Sequence, residues 1–210
     1  MADDEVTTRV RFEGEQHYLP FPHIHHAAAT LRKLARTTDL GRNHLESAAL
    51  VMTAFAVEAF CQTLGPQVLG ANWTTPPPRS KRPIERWSVA DKLKAIGRAV
   101  GVPVDLGQAP WSLVVDLMAA RDELAHAKHL SSERTTINLT LDVPASVDPY
   151  DVIKHHLRDQ MFPLHNITVL DALSADIDAG LRRLWTAAGH PDHTFDQAGM
   201  THWTGTAVPP

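Results

Sequence analysis

Residues 43–64 are apolar around almost the whole circumference of a helix, and no other segment constrains the fold so strongly. Alanine, leucine, valine and phenylalanine dominate it, and Glu46, Glu58 and Gln62 are its interruptions. A helix without a polar side must be covered on every side. Lipid could supply that cover, but the two carboxylates interrupt the run and no basic stop-transfer cluster flanks it. The segment is therefore expected to be the central helix of a bundle. Asn43 with Glu46 resembles a capping box at its start, and Gly65-Pro66 reads as its stop.

The covering helices are legible as stripes. One runs from about Ala27 to Thr38 and is closed by Gly41. Ser88 with Asp91 caps another, with Val89, Leu93, Ile96 and Val100 on one face and Gly101 beyond. A further helix spans roughly Trp111 to His129. The last long helix carries the stripe Leu170, Leu173, Ile177, Leu181 and Leu184, after a short helix over 149–159. Residues 18–26, with two prolines and three histidines, read as a loop, as do residues 72–83, with four prolines.

Val6, Thr8, Val10 and Phe12 alternate with polar neighbours, and Ile137, Leu139, Leu141 and Val143 repeat the pattern. These two strands are expected to pair. The fold class is thus an all-α bundle of about five helices with a small accessory two-stranded β-sheet. Three parts are expected. Residues 1–26 form an N-terminal strand and loop, and residues 27–188 a helical domain with a strand insertion near 135–143. Residues 189–210, without a stripe, are expected to be a flexible C-terminal tail.

Net charge is −4, so no general basic field advertises nucleic-acid binding, and any RNA site must be a local patch. Cys61 is the one cysteine, which excludes an intramolecular disulfide and a cysteine-rich zinc module. The acidic opening Met1-Ala2-Asp3-Asp4-Glu5 is unlike a signal peptide, so a cytoplasmic location and no membrane partner are expected.

Chemistry concentrates in Arg121-Asp122-Glu123-Leu124-Ala125-His126, late in the fourth helix. Leu113, Leu117, Ala120 and Leu124 fall on one side at roughly 100° per residue. Val114, Val115, Met118, Ala119 and Ala125 form a second small or apolar face, a candidate homodimer surface. Asp122 and His126, four residues apart, lie on that second face, where a carboxylate can orient an imidazole. Arg121 projects from the edge between the two faces, roughly 140° in azimuth from His126. One helix alone therefore does not aim both at one atom, and two copies across a twofold axis could.

The pair Arg121 and His126, separated by four residues, resembles the signature of the HEPN superfamily of helical nucleases. The likeness extends to Val57-Glu58-Ala59-Phe60 in the apolar helix and to Trp87-Ser88-Val89-Ala90-Asp91-Lys92-Leu93 before the arginine–histidine helix. It spans roughly residues 27–130. The resemblance implies a homodimer through the 111–129 helix and metal-independent endoribonuclease chemistry without a cofactor. It also implies a toxin or antiphage defence role with an antitoxin or defence-system partner. Arg121 would bind the scissile phosphate and His126 would act as general acid or base. The family often has asparagine after the arginine; Asp122 is more acidic and would orient His126 or repel phosphate. Members without activity imply an alternative, an inactive dimeric RNA- or protein-binding module.

Glu58 reads as a buried carboxylate that needs a partner, either a core arginine or the Arg121–His126 cleft itself. Arg79, Lys81, Arg82 and Arg86, continued by Lys92, Lys94 and Arg98, form a basic run. It is either a solvated face or the local RNA-backbone contact. Trp73 and Trp87 bracket the proline loop as core anchors or stacking platforms. His23, His25 and His26, like His155 and His156, lack cysteines or the His-Glu-x-x-His spacing. They read as surface loop histidines, with no metal assigned.

Overall fold

The computed structural model describes residues 10–17, 20–78, 80–126, 148, 163–197 and 200–207. Strand β1 covers Val10–His17, followed by α1 (Pro20–Thr37), α2 (Arg42–Leu69) and the single turn α3 (Ala71–Thr74). A 3₁₀ turn at Ile84–Arg86 leads into α4 (Val89–Val100), and α5 covers Trp111–His126. A second 3₁₀ turn at Pro163–His165 precedes α6 (Ile167–Ala187), and a third at Asp192–Thr194 precedes β2 (Met200–Ala207). The protein is mostly helical.

Helix α2 is the axis, packed by α1, α4, α5 and α6. Its Leu50, Val57, Phe60, Cys61 and Leu64 are all buried. By length and composition it is the one described helix able to cross a membrane, and 67% of that apolar window is buried inside the protein. Its start differs from the capping-box expectation. Gly41, in the left-handed region at φ 72°, is the N-cap and no side chain caps the helix. Glu46 is instead drawn into the interior. Gly65-Pro66 does not stop the helix either. Pro66 lies inside the helix, and its carbonyl accepts from Gly70 N at 3.0 Å beyond the helix end. Gly65 is needed there because Trp73 lies flat against it; a Cβ would come 2.3 Å from the indole ring.

The segment 20–26, expected as a loop, forms about the first two turns of α1. Pro20 and Pro22 fall among the first residues, whose N–H groups have no intrahelical acceptor, so they do not break the helix. Between them Phe21 is fully buried. Arg32 of α1 donates to Thr53 of α2 at 3.1 Å and lies 3.2 Å from Asp171 of α6, so one side chain ties three helices. Helix α4 follows its sequence signals: Ser88 Oγ accepts from Asp91 N, and Gly101 closes it at φ 76°. The α6 stripe is buried from Leu170 to Leu184, and Asn166 caps its start by accepting from Thr168 N.

Helix α5 does not have two separate buried faces. Val114 and Leu117 are fully buried, and Met118 joins Leu113, Ala120 and Leu124 against the core. The buried sector is thus centred between the two expected stripes, and α2, α4 and α6 pack against α5. Val115, Ala119 and Ala125 remain exposed.

Strand β1 pairs antiparallel with β2, in register from Val10 opposite Ala207 to His17 opposite Met200. Its partner is therefore the segment expected to be a flexible tail. The expected partner strand at 137–143 and the short helix at 149–159 lie outside the described residues, as does helix α5 beyond His126. Ahead of β2, one residue of the expected tail is anchored in the core. Phe195 is fully buried, edge-on to Phe21 at 4.9 Å between ring centroids.

Candidate functional site

Arg121 follows Leu117 by one turn on the inward side of α5. At that end of the helix the core gives out and the side chain is 23% exposed. Its Nη1 lies 3.8 Å from Glu58 Oε2 of α2, and its Nε lies 2.8 Å from Asp122 Oδ1. The Asp122 contact is close but poorly aligned, so Nε makes no hydrogen bond among the described residues. Nη2 faces the Met118 sulfur at 3.9 Å. The structure therefore brings together Arg121, Asp122 and Glu58.

Glu58 is not the buried carboxylate expected from its apolar helix. It is 39% exposed, beside Arg121 of α5 at 3.8 Å. One guanidinium thus faces two half-exposed carboxylates. That arrangement holds the fork in place, and a phosphate would have to displace Asp122 or Glu58 to be bound bidentately. His126 is the last residue of α5, and its side chain lies outside the description, as does any Asp122–His126 contact.

Among the expected RNA-binding residues, Arg79 lies outside the described residues, and Lys81, Arg82 and Arg86 are exposed. Arg82, Arg86, Trp87, Ser88 and Asp91 line an open depression of about 420 Å³. The Trp87 indole is fixed there by donating Nε1 to the Arg82 carbonyl at 3.0 Å. Trp73, by contrast, is a core anchor beneath α2.

Lys92 departs from the basic run. It is 3% exposed, and no carboxylate lies within 4.0 Å of it among the described residues. Its register offered the signal, since Val89, Lys92, Leu93 and Ile96 share one helical face. Burial pushes the Cys61 thiol up to about 12, with Lys92 pulling it down and Glu58 adding to the rise. Cys61 is a neutral core residue.

The histidines of 23–26 stand on α1, not in a loop. His25 Nε2 bonds Asp178 of α6 at 2.9 Å, and its Nδ1 lies 3.7 Å from Asp196. Arg182 pairs with Asp192 and Asp196 and stacks 4.3 Å above the Phe195 ring. This network fastens 190–197 onto α1 and α6, and nothing local in the sequence signals it because its members are far apart in the chain. Among the described residues no three histidine, cysteine or carboxylate groups converge as a metal site, and His155 and His156 lie outside them. Compared with protein-family models, curated proteins and solved structures, the chain matches none.

Proposed function

We propose that the protein is a metal-independent endoribonuclease of the HEPN type, acting as a homodimer in a toxin or antiphage defence role. The observation that carries this reading is the setting of Arg121. It is a partly exposed guanidinium at the end of a core helix, oriented by Glu58 from the central helix. In the proposed reaction the ribose 2′-hydroxyl gives its proton to a general base and attacks phosphorus. The O2′–P bond forms, the P–O5′ bond breaks, and the departing O5′ takes a proton. The products are a 2′,3′-cyclic phosphate and a 5′-hydroxyl. Arg121 stabilises the charge on the phosphoryl oxygens, and His126 moves the protons.

The exposed apolar residues Val115 and Ala119 of α5 and Phe55 of α2 support the dimer. An antitoxin or a defence-system protein is the expected further partner.

A second reading has its own support. Because Arg121 already contacts two carboxylates, the same geometry suits an inactive HEPN-like dimer that binds RNA or protein. Purified protein incubated with total RNA and EDTA separates them. The nuclease reading requires cleavage that is lost in both Arg121→Ala and His126→Ala while the dimer persists. Cleavage unchanged in both variants removes it.

A further inference from the structure

We propose that the depression at Arg82, Arg86 and Trp87 is the subsite for one unpaired nucleotide of a single-stranded RNA whose next phosphates run toward Arg121. The proposal rests on the ribonuclease reading for its substrate, but on separate residues for its site. The depression, about 420 Å³, falls within the range of about 300–1,000 Å³ typical of small-ligand pockets. One wall is the Trp87 indole, half-buried and locked by its bond to the Arg82 carbonyl, so the wall needs little ordering when a ring stacks on it.

The other walls carry charge. The Arg86 side chain is 74% exposed, with Glu85 its one ion-pair partner, at 3.7 Å, among the described residues. Of the charged residues that line it, two cations, Arg82 and Arg86, stand against one carboxylate, Asp91, in a chain of net charge −4. Asp91 is already engaged: its carboxylate accepts from Ser88 Oγ at 2.7 Å, and it lies in the first turn of α4. It gives the rim one acceptor, suited to the exocyclic amine of a base. An aromatic wall, two exposed guanidiniums and one acceptor match a nucleotide better than a bare anion.

Position joins this subsite to Arg121. Gln62 of α2 donates to the Glu85 carbonyl at 3.4 Å, and Glu58 of α2 faces Arg121 at 3.8 Å. Residues 58 and 62 occupy the same side of α2 on successive turns, about 6 Å apart along the axis. A strand of a few nucleotides spans the two sites. A duplex does not fit the proposal, because a paired base has no free face to lay on Trp87.

Binding of a fluorescein-labelled 2′-O-methyl decaribonucleotide, which lacks the attacking hydroxyl, tests the subsite without catalysis. Wild type should bind the single strand. Arg82→Gln/Arg86→Gln, both at exposed positions, should reduce the salt slope by about 1.4 for two lost phosphate contacts. Trp87→Leu should weaken binding about 5- to 100-fold, and Trp87→Phe should retain most of it. The proposal is overturned if wild type does not bind the strand, or if the arginine variant binds it with an unchanged slope. Equal Trp87 dependence for the annealed duplex overturns it as well. Binding by wild type without cleavage of total RNA leaves the subsite standing and removes the nuclease; cleavage with binding indifferent to Arg82, Arg86 and Trp87 does the reverse.

Discussion

Glu58 Oε2 stands 3.8 Å from Arg121 Nη1, so the central helix reaches the end of α5 through a pair open to water on one side. A pair this exposed stabilises a fold by no more than about 1 kcal/mol. Its removal therefore separates positioning from stability. Glu58→Gln should leave the melting temperature nearly unchanged and, on the proposed ribonuclease reading, lower RNA cleavage on the order of tenfold, through a less constrained Arg121. A large loss of stability with normal cleavage would show that Glu58 is a structural residue only.

Gly65→Ala should destabilise by about 1–3 kcal/mol, because the new methyl group meets the Trp73 ring. Chemical denaturation with Trp73→Leu as a second background checks the cause. In that background most of the penalty should vanish, and a penalty that persists would point to the α2 backbone.

Cys61 should resist iodoacetamide in the folded protein at pH 8 and react only on unfolding, since its thiol is buried and pushed up to about 12. The linkage has a definite sign. Above about pH 9 the unfolded state releases this proton and the folded state keeps it, so stability falls as pH rises from about 9 toward 12. Cys61→Ala should flatten that alkaline slope in denaturation measured across the window. An unchanged slope would assign it to other groups.

Phe195→Ala should cost about 3–5 kcal/mol, the range for emptying a buried aromatic site. Arg182→Ala, which removes the cation above that ring, should cost less. Urea denaturation of both variants gives the order, and a near-neutral Phe195→Ala would show that 190–197 contributes nothing to the core.

Local signals were enough for the helices with one apolar face. Ser88, Asp91 and Gly101 bound α4 as they read in the chain, and the α6 stripe from Leu170 to Leu184 is buried as spaced. They failed where tertiary packing outweighed a local preference. Pro20 and Pro22 read as breakers, yet the first turn of a helix tolerates them, and burying Phe21 rewards the helical choice. Gly65-Pro66 read as a stop, but the close approach of Trp73 gives the glycine a different use. At the site, the partnership of Arg121 with Glu58 was legible as an alternative. The exposure of Glu58 was not, because the apolar residues around it in the chain read as buried on every side. The His25–Asp178 contact links residues 153 positions apart, a separation that no periodicity encodes.

Phe195 fills a hollow edged by Phe21, Phe60 and Trp185. Phe21 and Phe60 leave the ribosome long before it, and at about 5–20 residues per second the wait is on the order of 10–30 s. Throughout that interval the aromatic end of the bundle is unsealed and open to chaperones or to a second nascent chain. The vulnerable period in this protein's life thus closes only when the chain's later part, α6 with Trp185 and then Phe195, has been synthesised.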